Sequence, residues 1–200
     1  MDFSDFNRRI EAKRQQLREA VNRRLPIKIG RRAADHFTEN FRLGGYVDGG
    51  LHPWPKTKRQ QSGCMAAAAL YGPLLSGRNN LARSIRYVPG EAQVTVGTTV
   101  PYAAVHNQGA DLTVTTHPRV TPKMRKFAWA KFFEAGGNKA TATGASAAGF
   151  WKALALTKKE KLSITANVHI PQRRFIGPSK ELRQIIIDTI TQELRPIINP

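Results

Sequence analysis

Between Leu162 and Ile170 every second residue is apolar: Leu162, Ile164, Ala166, Val168 and Ile170 alternate with Ser163, Thr165, Asn167 and His169. A period of two puts the apolar set on one face of an extended chain, so this segment predicts a strand. The same period returns at Ala92–Gly97, where Ala92, Val94 and Val96 alternate with Gln93 and Thr95. Just before it, Leu81–Val88 sets Ile85 and Tyr87 against Ala82 and Ser84, and Pro89-Gly90 is a turn signal. The two segments together predict a β-hairpin.

At both ends of the chain the period becomes helical. Phe6, Ile10, Leu17 and Val21 recur at spacings of four and seven, predicting a helix from Phe3 to about Arg24 that Ser4 or Asp2 caps. Pro26 lacks an N–H, so the reading breaks the helix there and starts a second one over Ile27–Phe41, ended by Gly44-Gly45. At the other end Leu182, Ile185, Ile186, Thr189, Ile190 and Leu194 share one face of a helix over Ser179–Leu194 that stops before Pro196. Between these lie a loop over 44–63, a short alanine-rich helix over Met65–Tyr71, and a short helix over Pro101–Gln108 closed by Gly109. An extended piece over Asp111–Thr116 follows, then a basic amphipathic helix over Pro122–Glu134 and a mobile loop over 136–149. Phe150–Leu156 is an apolar run that fits either strand or helix. This order predicts an α+β fold, a small antiparallel sheet covered by N-terminal and C-terminal helices. Residues 1–200 are expected to form one domain, with the N-terminal helices over 1–42 and a variable basic insert over 111–160.

Chemistry is sparse along the chain. The single Cys64 forms no internal disulfide, which suits a reducing compartment, and His36, His52, His106, His117 and His169 lack metal-ligand spacing. Asp48, Glu91, Asp111 and Glu134 fall in separate segments and form no acid–base pair. Ser62 and Ser76 lack a nucleophile elbow, and no glycine-rich turn ends in a phosphate-binding lysine. No catalytic, cofactor-binding or metal-binding residue is therefore expected, and the protein is not expected to be an enzyme. Asp2 and Asp5 precede any apolar run, unlike a secretory leader, and the longest apolar stretch is broken by Gly72-Pro73. A soluble product without membrane contact is expected.

Charge is the strongest compositional signal: 32 Lys and Arg against 14 Asp and Glu, a formal +18. It is concentrated in two stretches. Residues 1–32 hold ten cations against four acids, and residues 117–161 hold ten against two. Arg119, Lys123, Arg125, Lys126 and Lys131 of the second stretch are candidates to meet DNA phosphates or an acidic protein partner. A solvated basic face is the other reading of the same residues.

Several short segments, taken in order, resemble the phage virion morphogenesis family, the tail-completion or neck proteins of tailed phages and prophages. They are Trp54-Pro55 with Lys56-Thr57, Leu75-Ser76-Gly77 with Leu81 and Ser84-Ile85, and Val96-Gly97-Thr98 with Tyr102-Ala103, His106 and Gly109. Pro171 and Arg173-Arg174-Phe175-Ile176-Gly177 complete the set before the last helix. The resemblance implies a structural virion protein, present in the tail or neck and in the host cytoplasm during assembly. It implies a ring of identical subunits, such as a hexamer, joined to head-connector and tail proteins, with genomic DNA passing its lumen. Non-specific DNA binding through the basic patches is the alternative. Trp54, Tyr102, His106, Arg173, Arg174 and Phe175 are the candidate subunit or partner interface; for Phe175, a place in the subunit's own core is the competing reading.

Overall fold

The computed structural model describes residues 3–61, 70–137, 147–158 and 160–199. The chain divides into two compact units, one formed by residues 1–110 and 170–200 and the other by Asp111–His169.

The first unit begins with helix α1 (Phe3–Glu19), which runs through a π-helical turn at Ala20–Arg24 directly into α2 (Leu25–Leu43). Pro26 therefore does not break the helix as expected. It occupies the first turn of α2, where a missing N–H costs nothing, and the π-turn closes with Leu25 N–H donating to the Ala20 carbonyl. The Asn22 carbonyl, which an α-helix would pair with residue 26, instead accepts from Ala92 N at 3.3 Å. The Asn22 amide also donates to Glu91 at 3.2 Å. The orphaned carbonyl has become a tie between the helix and a hairpin tip.

That hairpin pairs β3 (Arg86–Gly90) with β4 (Gln93–Gly97) in antiparallel register, from Arg86 opposite Gly97 to Gly90 opposite Gln93. Its turn is Glu91-Ala92, with Ala92 at positive φ; Pro89-Gly90, the expected turn, lies within the strand. Leu81–Ser84, expected as strand, forms the short helix α4 (Asn80–Arg83), which buries Leu81 and Ala82. The hairpin lies tight against α2. A Cβ at Gly30 would come within 2.6 Å of both Tyr87 and Val94, so the close approach requires glycine there.

The loop expected over 44–63 contains more structure than its composition suggested: β1 (Gly45–Val47) pairs antiparallel with β2 (Leu51–Pro53), and α3 spans Lys58–Gln61. The alanine-rich helix read over 65–71 falls mostly outside the described residues. Helix α5 (Ala103–Gln108) agrees with the sequence. The last helix, α8, spans Lys180–Ile198 and is capped by Ser179, whose hydroxyl accepts from Leu182 N at 3.1 Å. It continues through Pro196 rather than ending before it. The proline removes one intrahelical bond, and burial of Ile197 holds the final turn in place. Arg24 and Lys28 of the N-terminal helices pair with buried Glu193 of α8, Arg24 at 3.1 Å.

The core of this unit gathers Ala33, Phe37 and Phe41 from α2, Trp54, Leu81, Ala82 and Ile85, Ala103 from α5, and Phe175. Helices from both ends of the chain thus pack over small antiparallel hairpins, the fold class read from the sequence.

The second unit holds two kinds of structure. Strands β5 (Ala110–Thr116) and β6 (Ile164–Ile170) pair as a two-stranded ribbon. Thr113 meets Asn167 at 2.9 Å, Thr115 meets Thr165 at 3.0 Å and Asp111 meets His169 at 2.6 Å, an antiparallel order that continues to a bridge between Arg119 and Lys161. Helix α6 (Pro122–Glu134), capped by Thr121 on Met124 N, packs on α7 (Ala147–Leu156). Phe150–Leu156 is thus helical. Ala128 and Phe132 are fully buried between them, and the Phe127 ring meets Trp151 edge-on at 5.9 Å. The expected loop over 136–149 falls largely outside the described residues, and its last three residues, 147–149, are helical, as the first turn of α7.

Candidate interaction site

Residues 171–179 have no regular secondary structure, so their backbone groups need partners from elsewhere. Side chains from four directions supply them. Asn40 of α2, fully buried, donates to the Phe175 carbonyl at 3.1 Å while its oxygen accepts from Val47 N at 3.2 Å. Asn107 of α5 accepts from Phe175 N at 2.8 Å and Ile176 N at 3.0 Å and donates to the Ile176 carbonyl at 3.1 Å. The Trp54 indole donates to the Arg174 carbonyl at 2.8 Å, and the Tyr46 hydroxyl to the Pro178 carbonyl at 2.8 Å. Arg173 N donates to the His106 carbonyl at 2.8 Å. Gly109 has φ +76, and a Cβ there would sit 3.0 Å from Gln172 N, so only glycine lets the end of α5 pass this strap.

The strap distributes the candidate interface residues unequally. Phe175 is 1% exposed, with its ring centroid 5.1 Å from that of Phe41, and Trp54 is buried edge-on to Phe41 at 5.5 Å. Both side chains fill the protein's own core. Tyr102 is 45% exposed and its ring meets His106 edge-on at 5.9 Å. Arg174 lies over the Tyr46 ring at 4.9 Å. Arg173 is buried and donates through Nε to the Pro55 carbonyl at 3.1 Å. Tyr102, His106 and Arg173 come together, with Arg59, around an open cleft of about 340 Å³. Arg174 does not join them.

The second set of candidates separates as well. Arg119, Lys123 and Lys126 are exposed, and among the described residues none of them has a carboxylate partner. Arg125 is half-buried and donates to the Thr157 carbonyl at 3.0 Å, so it is a packing residue of the α6–α7 pair. Lys131 pairs with Glu134 at 2.6 Å and lies 6.0 Å from the Phe127 ring centroid. No group of three His, Cys, Asp or Glu among the described residues could hold a metal ion. No helix of the described residues is long and apolar enough to cross a membrane.

The residues that hold the strap, Asn40, Asn107 and Tyr46, escaped the sequence reading. For Asn40 a signal existed: it is a polar residue within the apolar stripe Ala33, Phe37, Phe41 of α2, where burial without a partner would be costly.

Two histidines near the strap give it a pH dependence. Burial holds His36 below its ordinary value of 6.5, partly opposed by Glu181, and its Nε2 lies 3.1 Å from the Ser179 hydroxyl that caps α8. Burial, followed by the Arg173 charge, likewise holds His106 low. Each is therefore harder to protonate in the folded chain than in the unfolded one. Their contribution to stability is complete above pH 6.5 and is lost as pH falls below it, because the unfolded chain takes up protons first. Thermal melts across this range should show declining stability toward acid, and the decline should be shallower in a His36→Gln/His106→Gln double variant. An unchanged slope would contradict the assignment.

A small α+β protein, with helices from both termini laid over antiparallel hairpins, is the class this architecture defines. The chain belongs to the phage virion morphogenesis family, whose model matches residues 6–195, nearly the whole length. That family is one of virion assembly. Neither the curated proteins nor the solved structures include a match.

Proposed function

We propose that the protein is a structural subunit that completes the tail or the head–tail neck of a phage particle, acting as a ring of identical copies without a cofactor or a catalytic step. Membership in a virion-assembly family is the observation that carries this reading. Two uncovered surfaces support it. Helix α1 buries no residue, and Phe3, Phe6 and Ile10, at 76, 50 and 48% exposed, follow one another along it. The β5–β6 ribbon leaves Leu112, Val114, Ile164 and Val168 exposed on one face while its other face is closed by cross-strand hydrogen bonds. Isolated two-stranded ribbons are marginal in water, so a neighbour that covers the apolar face would stabilise it. A closed ring needs two different surfaces per subunit, each complementing the other on the next copy.

Light scattering and electron microscopy of the purified protein, alone and with head or tail components, should reveal a closed ring. A monomer that binds neither component would overturn the proposal. The second reading, contact with the genome, draws on Arg119, Lys123 and Lys126, which have no carboxylate partner among the described residues. An Arg119→Glu/Lys123→Glu/Lys126→Glu variant should melt like the parent yet show a duplex-DNA salt slope flatter by about 3, the counterions no longer released. Equal slopes would remove the genome contact.

A further inference from the structure

Among the described residues, the cleft beneath Tyr102 has no counter-charge. Among the described residues Arg173, only 6% exposed, makes one side-chain hydrogen bond, from Nε to the Pro55 carbonyl, and meets no carboxylate. A guanidinium carries five N–H donors, and a buried one without an anion is costly. Beside it the His106 Nδ1 is buried without a hydrogen-bond partner. Arg59 lines the same cleft, directing its guanidinium toward the Tyr71 and Leu75 carbonyls at 3.5 and 3.4 Å. Ser76 and Tyr102 add hydroxyls, Leu75 and Leu81 add apolar wall, and no Asp or Glu is among the lining residues.

We propose that this cleft receives the carboxylate of an acidic segment on a different virion protein. The planar fork of arginine pairs with a carboxylate through two parallel hydrogen bonds, and the leucine wall suits the hydrocarbon of an acidic side chain or its neighbour. A second copy of this chain is a poor source. It carries +18, and many of its carboxylates are already engaged within the subunit: Asp5 with Arg8, Glu11 with Arg14, Glu39 with Arg42 and Glu193 with Arg24. The proposal rests on the reading of the protein as an assembly subunit and names the chemistry of its partner.

Fluorescence polarisation with the full chain provides the test, using a labelled tetrapeptide of alternating leucine and glutamate, its glutamine counterpart, and inorganic phosphate as competitor. The glutamate peptide should bind, the glutamine peptide should bind at least tenfold more weakly, and Arg173→Gln should lose at least tenfold in affinity. Arg59→Gln, at a partly exposed position, guards against misfolding of the first variant and should lose affinity while keeping the parent's far-UV circular dichroism and a cooperative melt. Equal binding of the two peptides, or affinity unaffected by both variants, overturns the proposal. Tight phosphate binding that excludes the glutamate peptide also overturns it, and so does Arg59-dependent binding of duplex DNA in its place. Ring formation measured on the same samples separates the two ideas: a protein that assembles but ignores the glutamate peptide loses only the cleft, and one that binds the peptide but never assembles loses only the ring.

Discussion

Replacing Phe175 by alanine should destabilise the protein by about 3–5 kcal/mol, the usual cost of removing a fully buried phenylalanine ring. The ring is among the largest fully buried side chains, packed on Phe41 and surrounded by Trp54, Leu81 and Ala103. Little can relax into the space it leaves, because its backbone is fixed on both sides by Asn40 and Asn107. Urea unfolding followed by tryptophan fluorescence would measure the effect, and a loss under about 1 kcal/mol would show that Phe175 is not a core residue. Poor assembly of this variant would then report damaged folding rather than a lost contact with a partner.

Asn107→Leu should cost about 3 kcal/mol, since three backbone groups of the strap lose their partner at once and each buried unpaired group costs roughly 1–3 kcal/mol before relaxation. Asn107→Asp separates the components. Aspartate keeps the oxygen that accepts from Phe175 N and Ile176 N but offers no donor to the Ile176 carbonyl. Stability should therefore fall in the order asparagine, aspartate, leucine. Denaturant midpoints of the three proteins give the comparison; an aspartate variant no more stable than the leucine one would contradict the role assigned to the shared acceptor. Hydrogen exchange at Phe175 and Ile176 should accelerate in the leucine variant, because these amides would lose their protection.

Periodicity made the regular elements legible. The alternation after Leu162 gave β6, the spacing of Leu182, Ile185 and Thr189 gave α8, and the serine cap was visible three residues before the amide that donates to it. Proline and glycine misled in both directions. Pro26 and Pro196 sit within helical paths because one falls in a first turn and the other in a last turn held by a buried isoleucine, facts of tertiary context rather than of local propensity. Pro89-Gly90 reads as a turn in isolation but is drawn into β3 by pairing with Val94 and Gln93. Of the candidate site, residue identities were visible and their directions were not. Arg173 and Arg174 are adjacent in sequence, yet one is buried at the cleft and the other lies over Tyr46. The asparagines that fix the strap come from positions remote in sequence, and nothing short of the folded chain brings them together.

The π-turn at Ala20–Arg24 has a geometric consequence for assembly. One residue more than an α-helical turn contains rotates everything before it by about 100° around the axis. The line of Phe3, Phe6 and Ile10 on α1 therefore has a different azimuth, relative to the buried line of Gly30, Ala33 and Phe37 on α2, from the one an uninterrupted helix would give it. A single inserted residue sets the compass bearing on which the N-terminal helix offers its apolar side.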